Sequence, residues 1–305
     1  MKHLFIVNPV AGGKDKTAVV FEAVKAALEG KNEEFEIYVT KGPKDATREI
    51  KAAAERANGE MVRVYSCGGD GILNECVNGA AGLSNVAVTV YAMGTGNDFI
   101  KSFGDERELF FDMKKLVNGT IHPIDYIDCN GTACIDICSI GVDARIGTSA
   151  HKYSKLPLLG GTSSYITSLV VNVIKGIQQH MHITAPGYDE EGSFTMFCIC
   201  NGNFYGGGFN PVKDARVDDG VLNCLAVKGI SRLKAAPLIS KYGDGRYAEI
   251  PEYITRIDCQ HCHVELKEED VINIDGEALY GTSADINIVP GGVNFIAPEG
   301  MKYFD

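Results

Sequence analysis

An apolar, β-branched run at 61–66 ends in Cys67-Gly68-Gly69-Asp70-Gly71, and helical spacing over 73–81 follows at once. No other stretch limits the fold of this chain as strongly. A buried strand that enters a glycine turn and leaves as a helix is half of a β–α unit, and such units build parallel sheets. The glycines let backbone N–H groups approach a phosphate, and the helix N-terminus favours its negative charge. Asp70 at the turn can hold a divalent cation, directly or through water, or take a proton. A ligand-free β–α turn uses the same residue types, so the other motifs must decide.

The first third of the chain repeats the pattern. Strands are predicted at 4–8, 35–40, 61–66 and 86–91, and helices at 18–28, 46–57, 73–81 and 107–117. The first helix sets Val20, Phe21, Val24, Ala27 and Leu28 on one side. This is an α/β domain, a parallel sheet with helices on both faces, whose ligands sit at the carboxyl ends of the strands. The loops that count begin at Asn8, Thr40, Cys67 and Met93.

From residue 121 the pattern changes. Runs at 126–129 and 133–140 flank Asn130-Gly131, the sign of a hairpin with a primed turn. Further strands are predicted at 194–200, 221–227, 254–260, 264–267, 271–274, 286–289 and 294–297, with helices near 164–178 and 232–242. That is a mainly antiparallel β-sandwich. A length of 305 residues also exceeds one comfortable core, so two domains are expected, 1–122 and 123–293.

A net charge of −11 argues against a nucleic-acid partner and against anionic membranes, unless a basic patch forms locally. Lys152 and Lys155, beside Leu156-Pro157-Leu158-Leu159, are the candidate patch. The longest mostly apolar stretch, 165–177, is interrupted by Ser168, Asn172 and Lys175 and falls short of the ~20 residues of a spanning helix. No transmembrane segment or secretion signal is predicted, and ten cysteines then read as reduced thiols in the cytoplasm.

Several loops carry chemistry. Asn8-Pro9-Val10-Ala11-Gly12-Gly13-Lys14 closes the first strand but lacks the Walker spacing, because Asp15 follows Lys14. Gly94-Thr95-Gly96-Asn97-Asp98 can hold phosphate through amides and a hydroxyl, or simply cap a helix over 99–103. Asn201-Gly202-Asn203-Phe204-Tyr205-Gly206-Gly207-Gly208-Phe209 leads to Asp218-Asp219-Gly220-Val221, whose carboxylates suit a hard cation or a solvated turn. Ile274-Asp275-Gly276-Glu277 puts two acids on one tight turn. Cys259-Gln260-His261-Cys262-His263 resembles half a zinc site. In a continuous strand, however, Cys259, His261 and His263 would share one face, so these residues read as structural. His180 and His182 are placed after a helix end.

Taken in order, NPVAGG, GGDGILNE, GTGND, NGNFYGGG, DDGVLN and IDGE resemble the diacylglycerol kinase/sphingosine kinase catalytic family, in its bacterial lipid-kinase branch. The resemblance covers nearly the whole chain. It implies a nucleotide domain related to NAD kinases and 6-phosphofructokinases, followed by a β-sandwich, with about 294–305 returning to the first domain.

It also implies roles. Asn8, Pro9, Val10, Ala11, Gly12 and Thr40 would line an ATP site, and Gly69, Asp70, Gly71, Ile72, Leu73, Asn74, Glu75 and Thr95 would hold its phosphates. Asp219, with the carbonyls of Arg216 and Val221, would bind a Mg²⁺ that reaches Asp70 and Asp98 through water. Asp275 and Glu277 would be the catalytic acids, with Glu277 favoured as proton acceptor. The family usually has Thr where this chain has Ile72, and often a small residue at Arg216. The implied activity is ATP- and Mg²⁺-dependent phosphorylation of a lipid hydroxyl at the membrane surface, most simply that of diacylglycerol. NAD kinase activity and a non-catalytic nucleotide-binding regulator are the alternatives. The oligomeric state stays open, a homodimer included.

Overall fold

The computed structural model describes residues 2–9, 15–154 and 177–305. Two compact units emerge, Met1–Asp125 with Pro290–Asp305, and Tyr126–Val289.

The first unit opens β1 (Lys2–Val7), α1 (Thr17–Leu28), β2 (Glu34–Val39), α2 (Asp45–Arg56), β3 (Val62–Gly68), α3 (Asp70–Ala80), β4 (Val86–Ala92) and a short α4 (Asp98–Lys101). β1 pairs in parallel with β2 and β3, and β3 with β4. Every residue of β3 is buried, as a strand with neighbours on both edges and cover on both faces requires. Phe5 of β1 stacks on Tyr65 of β3 at 4.5 Å between ring centroids. Gly79 lets α3 meet α2 closely, because a Cβ there would lie 2.9 Å from the Cβ of Ile50.

The register places the loops. Val7 stands beside Val39 and Cys67, and Gly68 beside Ala92, so the loops after β1, β2, β3 and β4 open along the same edge of the sheet.

Two local expectations need correcting. Phe21 is 42% exposed, and α1 buries Val20, Val24, Ala27 and Leu28 instead. The single helix read over 107–117 is a 3₁₀ segment, Gly104–Phe111, and then α5 (Met113–Val117). Asp112 divides them, because its carboxylate accepts the N–H groups of Lys114 (2.9 Å) and Lys115 (3.3 Å) as an N-cap.

The chain then forms β5 (Thr120–Cys129), β6 (Thr132–Cys134), β7 (Ile137–Gly141), α6 (Val142–Ser154), β8 (Gln179–Ala185), β9 (Tyr188–Cys200) and β10 (Leu222–Lys228). After these come α7 (Arg232–Gly243), β11 (Ile254–Cys259), β12 (His261–Ile274) and β13 (Glu277–Ala297). Within the second unit β10 pairs antiparallel with β9 and β11, and β9 with β7 and β8. β12 pairs in the same sense with β7, β8 and β13. Alternation along β9 feeds two cores: Phe197 and Ile199 enter one apolar layer, Met196, Cys198 and Cys200 the other. A strand buried on both faces reads as a continuous apolar run, which is how 194–200 stands in the sequence.

The hairpin at Asn130-Gly131 forms, with φ of +50° and +81° at its two central residues. Its second strand does not run from 133 to 140, because β6 ends at Cys134 and β7 starts at Ile137. His180 and His182 lie in strand β8. The two strands read at 264–267 and 271–274 are one, β12, with a register shift against β13 between Glu265 and Asp270. Lys155, the 156–159 run and residues 164–176 of the helix read at 164–178 lie outside the described residues. Among the described residues no helix is long and apolar enough to cross a membrane.

β13 ends in the first unit. There Asn294 and Phe295 pair in parallel with Ala87 and Val88, and Phe295 packs among Phe99, Phe103 and Phe110 at 5.8–5.9 Å.

Candidate active site

Two glycine turns at neighbouring strand ends are built against each other. Met93 and Gly94 both donate their N–H to the Gly68 carbonyl, at 2.8 and 3.1 Å. Gly69 and Gly94 approach so closely that a Cβ on Gly94 would fall 2.5 Å from the Gly69 Cα. A side chain at Gly94 therefore cannot be accommodated without moving backbone. Asn97, in the left-handed region at φ +47°, does not cap α4 with its side chain but donates from Nδ2 to the Gly94 carbonyl (3.1 Å).

Asp70 and Asp98 meet around this pair of turns. A Cβ on Gly96 would lie 2.9 Å from Asp70 Oδ2 and 3.9 Å from Asp98 Oδ2. Asp70 heads α3 and also accepts the Phe99 N–H on Oδ1 (3.3 Å), so one carboxylate ties the first glycine turn to the second. Asp98 is ion-paired with Lys101. Gly71 and Thr95 stand exposed at the mouth. Ile72 and Leu73 are 5% and 1% exposed, so their side chains belong to the core and only their backbone can serve a ligand.

The flanking residues are placed by the strands. Asn8 N–H donates to the Cys67 carbonyl at 3.4 Å, and Thr40 donates to Val7 O from its N–H (2.9 Å) and its hydroxyl (3.3 Å). Lys16, not singled out from sequence, sets its Nζ 2.8 Å from the Met93 carbonyl and brings a cation beside the second turn. Asn74 is buried, and its backbone and side-chain oxygens accept from Asn78 Nδ2 at 3.0 and 3.2 Å. Glu75 is engaged elsewhere. Its Oε2 accepts the Ala46 N–H (3.2 Å), the role of an acid at the N-terminus of α2. Val10, Ala11 and Gly12 lie outside the described residues.

In the second unit, Asp275-Gly276 is the two-residue turn between β12 and β13, with φ of +50° and +93°. The Asp275 carboxylate accepts three backbone amides, Ile135 N–H on Oδ2 (2.7 Å) and those of Asp136 and Ile137 on Oδ1 (3.0 Å each). Cys134 Sγ adds a fourth contact at 3.1 Å. This explains the break between β6 and β7: amides that would have joined a ladder are taken by a side chain. Asp275 is thus built as an anchor, whereas Glu277, two residues on, is exposed.

Arg216 forms a two-pronged pair with Asp218, Nε to Oδ1 at 2.9 Å and Nη2 to Oδ2 at 3.0 Å. Asp219 is exposed and folds back so that Oδ1 accepts the Val221 N–H (3.0 Å). A carboxylate held in this way over a tight turn is a hard oxygen donor of the kind Mg²⁺ takes together with water.

The second unit also holds an apolar cavity. Ile146, Met196, Phe209, Val227, Leu238 and Ile254 are among its lining residues, and Asp143, Tyr205 and Tyr242 form its polar corner. Asp143 enters at the start of α6, after Gly141 at φ +101°, where a Cβ would lie 2.6 Å from the Thr195 carbonyl. Tyr205 OH donates to Asp143 Oδ1 (3.2 Å) and lies 3.0 Å from Tyr242 OH. The three glycines after Tyr205 allow the turn that holds it, with Tyr205 and Phe209 exchanging backbone hydrogen bonds at 3.0 and 2.9 Å. Burial pushes the Asp143 carboxyl up to about 6, against the pull of hydrogen bonds from Ser139 and Tyr205. Its sequence signal was an acid placed directly after Gly141-Val142 in an otherwise apolar run; Tyr242 gave none.

The family described as diacylglycerol kinase catalytic domain matches residues 2–129, and the family described as YegS C-terminal NAD kinase beta sandwich-like domain matches 136–297. A Pseudomonas aeruginosa PAO1 protein named probable lipid kinase YegS-like is 28% identical over 302 residues, 94% of this chain and 96% of its own. A Staphylococcus carnosus protein with a lipid-kinase name is 28% identical over 233 residues, 76% of each chain. A crystal structure from Bacillus anthracis str. Sterne, of a protein described as a diacylglycerol kinase, superposes with a TM-score of 0.74. It is 25% identical, and the match covers 97% of this chain and 96% of that one.

Proposed function

The chain belongs to the lipid kinases of the diacylglycerol kinase family, phosphotransferases with an alcohol group as acceptor, and from that premise we propose that it phosphorylates diacylglycerol with ATP to give phosphatidic acid. The observation that carries the acceptor is the cavity in the second unit, apolar except at one corner. An acyl chain is the apolar occupant a lipid kinase meets, and an apolar lining with a few convergent polar groups is the usual make-up of a ligand site.

In this reading the first unit takes the nucleotide. Asn8, Pro9 and Thr40 border it, the segment Val10, Ala11 and Gly12 would complete that ATP site, and the backbone of Gly69 to Leu73 faces the phosphates with the Thr95 hydroxyl. Asn74 and Glu75 act through the helices they brace. Asp70 and Asp98 place negative charge where a hydrated cation would be organised. Asp219, with the carbonyls of Arg216 and Val221, would hold Mg²⁺, whose charge offsets that of the phosphates.

The acids of the second unit divide their labour. Glu277, exposed, takes the acceptor hydroxyl proton as the new O–P bond forms and ADP departs. Asp275 is a positioning residue that fixes the turn carrying Glu277. The protein acts at the membrane surface, where such an acceptor resides.

Purified protein with γ-labelled ATP and Mg²⁺ is offered diacylglycerol, monoacylglycerol, sphingosine, ceramide, phosphatidylglycerol and NAD in parallel. Label in phosphatidic acid is the expected result. Label in another lipid would overturn the choice of diacylglycerol, label in NADP would overturn the lipid acceptor, and label nowhere would leave a nucleotide binder without catalysis.

A further inference from the structure

Cys224, Cys259 and Cys262 bring their Sγ atoms within 4.8 Å of one another, all three in buried residues. We propose that these sulfurs form a binding site for one thiophilic d¹⁰ cation, Zn²⁺, separate from the phosphoryl-transfer machinery.

The convergence follows from topology. Leu222 of β10 pairs with Cys259 of β11, which puts Cys224, two residues along, on the same face as Cys259. β11 ends at Cys259 and β12 begins at His261, with a bend at Gln260 between them, so Cys259 and Cys262 do not follow the alternation of one strand. His261 is exposed, and past the bend Cys262, 2% exposed, lies inward beside Cys259. Two cysteines separated by two residues across a bend, joined by a third from the neighbouring strand, is the ligand spacing of thiolate zinc sites. No other group of three or more His, Cys, Asp or Glu side chains converges in this way among the described residues.

The chemistry agrees with the geometry. Three sulfurs facing one another are a ligand set for soft metals. Three thiolates with Zn²⁺ leave one buried negative charge, fewer than with Cu⁺, and Cys259, 7% exposed beside exposed Gln260, gives an outside fourth ligand a way in. Thiols serving only as small apolar core residues would bind no metal.

The test uses the full chain, stripped with chelator under reducing conditions and titrated with Co²⁺ and then Zn²⁺. One equivalent of Co²⁺ should give a thiolate-to-metal charge-transfer band that Zn²⁺ abolishes. The band should be absent in Cys259→Ser and present in Cys198→Ser. On the wild-type chain itself, one equivalent of Zn²⁺ should slow alkylation of Cys259 by at least about tenfold, which covers the case of a variant that fails to fold. No band with no protection, or a band that survives Cys259→Ser, would overturn the site. Retention of Cu⁺ in preference to Zn²⁺ would overturn the metal.

Discussion

The Ile135 N–H donates to Asp275 Oδ2 across 2.7 Å, and with the amides of Asp136 and Ile137 it commits that carboxylate to holding backbone. Asp275 and Glu277, neighbours on one turn, therefore fail differently when changed. Asp275→Ala should destabilise the protein by about 1–3 kcal/mol, since three amides lose their acceptor, with turnover per folded molecule reduced as the turn loosens. Glu277→Gln should leave the melting temperature unchanged and cut turnover by roughly 10²–10⁴-fold. Melting curves beside single-turnover rates separate the two.

The glycine turns make a second contrast. Gly94→Ala drives a Cβ to 2.5 Å from the Gly69 Cα and should cost about 1–3 kcal/mol. Gly71→Ala meets nothing within 4 Å in α3 and should be neutral or stabilising by up to about 1 kcal/mol. Its methyl group nevertheless stands where a phosphate would approach, so KM for ATP should rise while stability does not fall.

Asp70→Asn keeps the shape of its turn, and an amide oxygen can still accept the Phe99 N–H. The charge beside Asp98 is lost, so phosphoryl transfer should fall below detection while the chain melts as wild type does. Near-normal turnover in this variant would remove Asp70 from the phosphate site.

Asp143 gives a pH signature. Its carboxyl is raised from its ordinary value of 3.8 to about 6 in the folded chain, so the unfolded chain ionises first and the folded state loses stability as pH rises through 6. Asp143→Asn removes that loss. The variant should exceed wild type by on the order of 2–3 kcal/mol at pH 8, with the gain gone at pH 4. Denaturant unfolding at the two pH values reads the difference directly.

What the sequence disclosed followed from local rules, and what it hid depended on long-range ones. The strand entering Cys67 and Gly68, and the Asn130-Gly131 hairpin, were legible because apolar runs and primed turns are set by neighbouring residues. The break between β6 and β7 was not, because it is caused by Asp275, well over a hundred residues away. Asp112 split a predicted helix by capping its second half, a choice that apolar spacing alone does not weigh. The meeting of Cys262 with Cys259 was not legible because the break at Gln260 carries no glycine or proline to announce it. Asp143, Tyr205 and Tyr242 come from three separate segments, and only folding assembles their corner of the cavity.

The most direct measurement is single-turnover transfer from γ-labelled ATP to diacylglycerol in mixed micelles, with wild type and Glu277→Gln run side by side and both shown to be folded. The account predicts label in phosphatidic acid for wild type and a rate lower by roughly 10²–10⁴-fold for the variant. Equal rates in the two proteins, or label that never enters an organic-extractable product, would contradict it.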